Sequence, residues 1–429
     1  MLIQKKVQRF YLRFGLLLLA MVALPANAQD CDADYVDFSS EGEVKITPSS
    51  MDDSENIQCA VDEAINLGKT KISLERGEFL LGASIALIGF TGEFSGVSKA
   101  STTVRTTPNS WECAAGDRDK DRQLFRVGNG SVKFSTMSVI VDDPCIPSAN
   151  SARWTAIDIA PIRPLCDKRV SFSSVDRVDL TLNTAEDDGY YTAISAGGSS
   201  HCPDSLLGTL KVNRSTIKGW TDALQTSMVG GAQVDVNYCD FVSNIYAIKI
   251  ENANQLTSIQ RNSFYLNSPD HVSSRRPHGI GFFGSGEDAP KQNVLSIANN
   301  KFYDEVDVGH ELRLDYGYTT KSQAISVSIV GNRFEEGAQD LGQDGIGSIS
   351  VTNIDAGFIA KNTFLENTFA HIYFFGREGR GPADGWAIVG NSFPVGDAGI
   401  QLEELTRSNI VGPEQSVRVN DYGMNFILN

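Results

Sequence analysis

Four side chains in the C-terminal half of this chain, Lys249, Arg313, His371 and Tyr373, are of the types that move protons and neutralise charge. Each stands in a short strand-like run: Ala247-Ile248-Lys249-Ile250-Glu251, Glu311-Leu312-Arg313-Leu314-Asp315 and His371-Ile372-Tyr373-Phe374-Phe375. Period-2 alternation turns the polar residues of such a run to one face. Aligning the runs puts Lys249 and Glu251 outward, then Gly279, Gly281 and Phe283, then Glu311, Arg313 and Asp315. After a Gly/Ser run over 345–350 come His371, Tyr373 and Phe375, and finally Gln401 and Glu403. If successive runs stack in parallel, Lys249 and Arg313 stand about 10 Å apart, two strand spacings, with glycine between them. That arrangement suits β-elimination at a uronic acid, which needs a cation on the carboxylate, a base for the C5 proton and an acid for the leaving oxygen. Arg313 is then the neutraliser and Lys249 the base, with Tyr373 or His371 as acid or alternative base. Arg313 lowers the Lys249 pKa toward usefulness and Glu251 raises it again. Hydrolysis needs instead two carboxyl groups about 5 to 9.5 Å apart, and Glu251, Glu311, Asp315 and Glu403 offer such pairs. The plain alternative is a solvated charged face.

A second cluster precedes the glycine run. Ser268-Pro269-Asp270-His271 and Arg275-Arg276-Pro277-His278 gather two His and two Arg in an acidic protein. With Glu251, Asp315 and Gln401, the residues His271, Arg275, Arg276 and His278 are the candidates for substrate binding, as a wall over the strip. No metal centre is expected: there is no CxxC pair and the five His are scattered. Asp117-Arg118-Asp119-Lys120-Asp121 imitates the start of a calcium loop, but Arg122 and Gly128 stand where Gly and Glu belong.

The elements that must position these residues announce themselves by repetition. From about 210 to 391 an apolar-alternating strand is followed by Asn, any residue and Phe, as in Asn262-Ser263-Phe264, Asn300-Lys301-Phe302, Asn332-Arg333-Phe334, Asn362-Thr363-Phe364 and Asn391-Ser392-Phe393. Ile217 and Phe241 mark two earlier copies, in which Ser215 and Cys239 replace Asn. The marks fall 24, 23, 38, 32, 30 and 29 residues apart, the spacing of a solenoid whose repeats bury their apolar faces on one another. Asn tolerates the left-handed conformation of a sharp bend, and its amide can bond the next Asn up the stack. Near the start, Asp53-Ser54 caps a short helix with Ile57, Val61 and Ala64 on one face and Gly68 at its end. Strands Lys71–Leu74 and Phe79–Leu81 follow, around a turn at Gly77.

A capping helix, a strand, a tight Gly turn and coils bearing Asn-x-Phe resemble the pectate-lyase-like superfamily of right-handed parallel β-helices. The resemblance spans 54–415 and is one of architecture; Glu75-Arg76-Gly77-Glu78-Phe79 stands where many members have Pro-x-Gly-x-Tyr. It implies an all-β solenoid, with a capping helix about 53–67 and coils about 70–415, whose outer strip is the floor of a groove for an extended sugar chain. It also keeps calcium as a cofactor candidate, bridging an acidic fold to an acidic sugar.

Residues 1–28 read as a signal peptide: a basic start (Lys5, Lys6, Arg9, Arg13), an apolar run from Phe14 to Leu24 and Ala26-Asn27-Ala28. Residues 29–429 then form one β-helix domain, secreted or periplasmic, with no transmembrane segment. Its removal leaves 33 basic against 53 acidic residues, net −20, which argues against nucleic acid as a partner. Seven cysteines fit an oxidising compartment without fixing their pairing, and Cys239 is the one expected to be free and buried. The expected partner is a polysaccharide, acidic in the lyase reading; the alternatives are a glycoside hydrolase and a non-catalytic glycan- or surface-binding β-helix. The oligomeric state stays open.

Overall fold

The computed structural model describes residues 31–107, 122–142, 153–160, 172–184, 190–197, 208–227, 232–251, 255–267, 269, 276–283, 293–304, 310–315, 323–335, 347–365, 370–375, 383–394, 399–413 and 419–428. The signal-peptide reading and the calcium-like run 117–121 lie outside them.

Most coils are built from three short strands; in two, Ser131–Asp142 and Phe172–Asn183 run the first two together. One coil runs Ala232–Asn237, Asp240–Val242 and Tyr246–Glu251, and the next runs Gln255–Gln260, Ser263–Leu266 and His278–Phe283. In the three-stranded coils the first two strands join a 23-stranded sheet and the third joins a 12-stranded sheet. Every strand pairs with its equivalent one coil away and in parallel; among the described residues the exception is Val36–Asp37 against Glu43–Ile46. The protein is thus a right-handed parallel β-helix. No crossover helix is needed, because the connection between parallel neighbours is the coil itself.

The Asn-x-Phe repeat makes two internal ladders. Each Asn Oδ1 accepts both the backbone N–H and the Nδ2–H of the Asn one coil before it, from Asn262 through Asn300, Asn332 and Asn362 to Asn391, at 2.9–3.0 Å. Phe241, Phe264, Phe302, Phe334, Phe364 and Phe393 stack inside with centroids 4.6–5.1 Å apart and planes within 7°. The left-handed residue of the turn is not the Asn but the one before it: Arg261, Asn299, Gly331, Lys361 and Gly390 have φ between 56° and 68°. The Asn is needed for its amide, and its predecessor absorbs the bend.

The helix Ser54–Asn66 buries Ile57, Ala60, Val61 and Ala64 over the first coil and ends before Gly68 at φ 66°. Asp53 does not cap it through its side chain. Its carboxylate accepts the backbone N–H groups of Ser49 and Leu80 instead, while Asp52 accepts that of Ser54. A disulfide between Cys31 and Cys59 ties the preceding segment to the helix, and Cys239 is free and buried.

Candidate functional site

The outer face of the 12-stranded sheet carries the candidate residues in files set by strand register. One file reads Gln225, Lys249, Gly281, Arg313, Ser350, Tyr373 and Gln401 on consecutive coils. Lys249 and Arg313 therefore flank Gly281, as the alternation of the sequence implies.

Simple alternation fails two residues earlier. Two consecutive residues face inward in each coil: Ala223 and Leu224, Ala247 and Ile248, Gly279 and Ile280, Glu311 and Leu312, Ser348 and Ile349, His371 and Ile372, all buried. A Cβ on Gly279 would lie 2.9 Å from the ring of Phe302, so this position looks at the Phe ladder. His371 does the same, with its ring 4.9 Å from Phe364 and 5.3 Å from Phe393. His371, Gly279 and Glu311, expected to point outward, are interior residues.

The bend brings a second file to the outer face, which the alternation hid: Asp222, Tyr246, His278 and His310. Tyr246 stacks on His278 at 4.6 Å and 10°, and His278 on His310 at 5.6 Å and 19°. His278 Nδ1 accepts the backbone N–H of His310 at 3.1 Å, so a neutral His278 carries its proton on Nε2. His310 Nδ1 lies 3.4 Å from the Gly347 carbonyl and 3.0 Å from Ser350 Oγ. A carbonyl only accepts, so the tautomer that satisfies it has the proton on Nδ1 and a lone pair on Nε2. Burial, with His310, Arg313 and Arg276 adding to it, holds His278 well below the usual histidine pKa. Burial, followed by Arg313, takes His310 down to about 3. Burial also raises the Tyr246 phenol above its ordinary pKa. Its three rings, Tyr246, His278 and His310, form a column of uncharged hydrogen-bonding groups at neutral pH.

The charged groups stand beside it. Lys249 Nζ pairs with Glu251 at 2.7 Å and Asp222 at 3.7 Å, and lies 5.7 Å from the centre of the Tyr246 ring. Gln225 donates to the other Glu251 oxygen at 2.7 Å. Arg313 pairs with Asp315 at 3.0 Å and lies over the ring of Phe283 at 5.4 Å, with its side chain one-third exposed (33%). Phe283 folds back across Gly281, where a Cβ would fall 2.4 Å from the ring. The floor between the two cations is therefore aromatic rather than bare. Tyr246 meets Phe283 edge-on at 5.8 Å.

Lys249, Glu251, His278, Arg276, Arg313 and Asp315 thus fall in one neighbourhood, with Tyr246, Asp222, His310 and Phe283 around them. Tyr373 and Gln401 lie two and three coils beyond Arg313 in the same file. The Tyr373 hydroxyl is buried and donates to Glu403. His271 and Arg275 lie outside the described residues. Among the described residues no group of three or more His, Cys, Asp or Glu side chains converges for a metal ion.

No family model matches this sequence, and no curated protein does. Solved structures match by fold. DFA-IIIase from Arthrobacter chlorophenolicus A6 without its lid aligns at 14% identity and TM-score 0.53, over 93% of this chain and 97% of that one. The Azotobacter vinelandii mannuronan C-5 epimerase AlgE6 A-module aligns at 12% identity and TM-score 0.45, over 91% and 96%. Dettilon tailspike protein aligns at 11% and 0.45, over 89% and 68%.

Proposed function

We propose that this protein is an exported enzyme acting on an acidic polysaccharide, cleaving it by β-elimination at a uronate laid along the outer face of the 12-stranded sheet. The observation that carries the reading is the accessible Arg313 guanidinium beside the uncharged Tyr246, His278 and His310 column. In this scheme Arg313 exchanges Asp315 for the C6 carboxylate, bidentately, and so makes the C5 proton acidic. Lys249 is committed as the cation of two ion pairs, so the base passes to His310 Nε2, whose proton affinity a bound carboxylate raises. As the C5 proton leaves, the C4–O bond breaks, a C4–C5 double bond forms, and Tyr246 protonates the departing oxygen. Phe283 provides an apolar surface for a sugar ring, and Gln401 and Arg276 extend the binding strip. The disulfide Cys31–Cys59 supports export, with residues 1–28 as the leader.

A second reading rests on Asp222 and Glu251. Both pair with Lys249 Nζ, at 3.7 and 2.7 Å, which keeps those two carboxylate oxygens within the sum of these distances. That upper bound admits the short end of the range of about 5–9.5 Å over which paired carboxyl groups hydrolyse glycosides. The experiment incubates residues 29–429 with alginate, pectate, glycosaminoglycans and neutral glucans, with and without calcium. Unsaturated-uronate absorbance that Arg313→Ala removes is the expected result. New reducing ends without that absorbance would support the hydrolase, and binding without products a non-catalytic module; either outcome sinks the lyase.

A further inference from the structure

Directly beneath the candidate site the interior turns polar for three coils. The inward position ahead of the bend is Ala156, Ala193, Ala223, Ala247 and Gly279 on successive coils, then Glu311, Ser348 and His371. Neighbours in this column stand one coil spacing apart, about 4.8 Å. All three polar residues are 0% exposed. Ser348 Oγ and both ring nitrogens of His371 are buried and meet no hydrogen-bond partner among the described residues. A hydroxyl or imidazole buried without a partner costs about 1–3 kcal/mol, and native interiors keep such groups only where something satisfies them. The ring of His371 touches Phe364 and Phe393, which offer no lone pair in its plane. Burial alone takes His371 down to about 3, so the neutral ring presents one donor and one acceptor.

We propose that Ser348 and His371 form an internal binding site for a water molecule between adjacent coils. Ser348 and His371 stand on adjacent coils without bonding each other, and one water can bridge polar groups across that spacing. The hydroxyl and the imidazole supply two of the two to four polar partners a buried water takes. Apolar interiors stay dry, whereas a buried hydroxyl and imidazole without protein partners hold water. The water has a mechanical effect. Ser348 and His371 each stand two residues before Ser350 and Tyr373, and the bridge cross-links from inside two of the strands that present the first outer file.

The sign of a stability change tests this. With a bound water, Ser348→Ala strands the water and an imidazole nitrogen, and His371→Phe strands the hydroxyl, so each lowers the melting temperature. The double variant should be less harmful than the two losses added, because the second change removes groups already stranded. If the position is dry, Ser348→Ala relieves a desolvated hydroxyl and raises the melting temperature, and His371→Phe extends the aromatic ladder and raises it too. A crystal structure of the mature protein gives the direct readout: a solvent peak within hydrogen-bond distance of Ser348 Oγ and a His371 nitrogen is expected. No peak together with a stabilising Ser348→Ala would overturn the proposal.

Discussion

Asn and Phe could be read as ladders from the sequence because each has a single use at its place: a buried amide needs a partner and a buried ring needs a stack. Cys239 is informative as the point where the amide ladder stops. Its backbone N–H still donates to Asn262 Oδ1, at 2.9 Å. Its thiol, pushed up to about 12 by burial, faces the Val212 carbonyl at 3.5 Å. One coil later Asn262 Nδ2 donates to the equivalent carbonyl, Val236, at 3.0 Å. Cys239→Asn should therefore add a rung, exchanging a weak thiol contact for an amide bond worth about 1 kcal/mol. Chemical denaturation should show a higher midpoint with an unchanged slope. A lower midpoint would mean that the extra volume of the amide outweighs the bond it makes.

Strand register and strand facing carry different amounts of information. Register follows from the repeat, and the file from Lys249 through Gly281 and Arg313 to Tyr373 and Gln401 was legible in it. Facing was legible only for the second half of each strand. The two inward residues at the bend break a period of two, and small side chains hide the break: Ala223, Ala247 and Gly279 read equally well as inward or outward. Tyr246 and His310 were missed for that reason, and His371 was turned the wrong way. Two glycines test the geometry of the element. Gly279→Ala would place Cβ 2.4 Å from the backbone oxygen of Glu311 and 2.9 Å from Phe302. Neither can withdraw without moving a strand or the ladder, so a loss of about 1–3 kcal/mol in urea unfolding is expected. Gly281→Ala meets only the outer end of the Phe283 ring, which can swing toward solvent. Its stability should change by less than about 1 kcal/mol, while glycan binding falls as the surface under Arg313 is lost. Equal losses in both variants would contradict the assigned bend.

At the scale of the whole molecule, acidification sets two effects against each other. The chain carries a formal charge of −16, and protonation relieves that self-repulsion. Spread along a solenoid and screened beyond about 8 Å at physiological salt, the repulsion is a weak term. Against it stand three histidines, His310 and His371 buried and His278 partly so. His310 and His371 titrate near 3 in the folded protein, and His278 well below its ordinary value. In the unfolded chain each titrates near 6.5. Depressed histidine pKa values contribute stability that is complete above 6.5 and lost as pH falls toward 3, because the unfolded chain takes up protons first. Glu43, Glu93, Asp37 and Asp52, whose folded pKa values are also lowered, lose their contribution only below about 4.5, the ordinary carboxylate range. The interval between pH 6.5 and 5 therefore isolates the histidines. Unfolding free energy should fall there by about 1.4 kcal/mol per pH unit for each of them once the unfolded side chain is fully protonated. Urea titrations at pH 7, 6 and 5 in constant salt measure it. A flat or rising profile would show that relief of charge repulsion dominates and that the rings facing the site are not held neutral by burial.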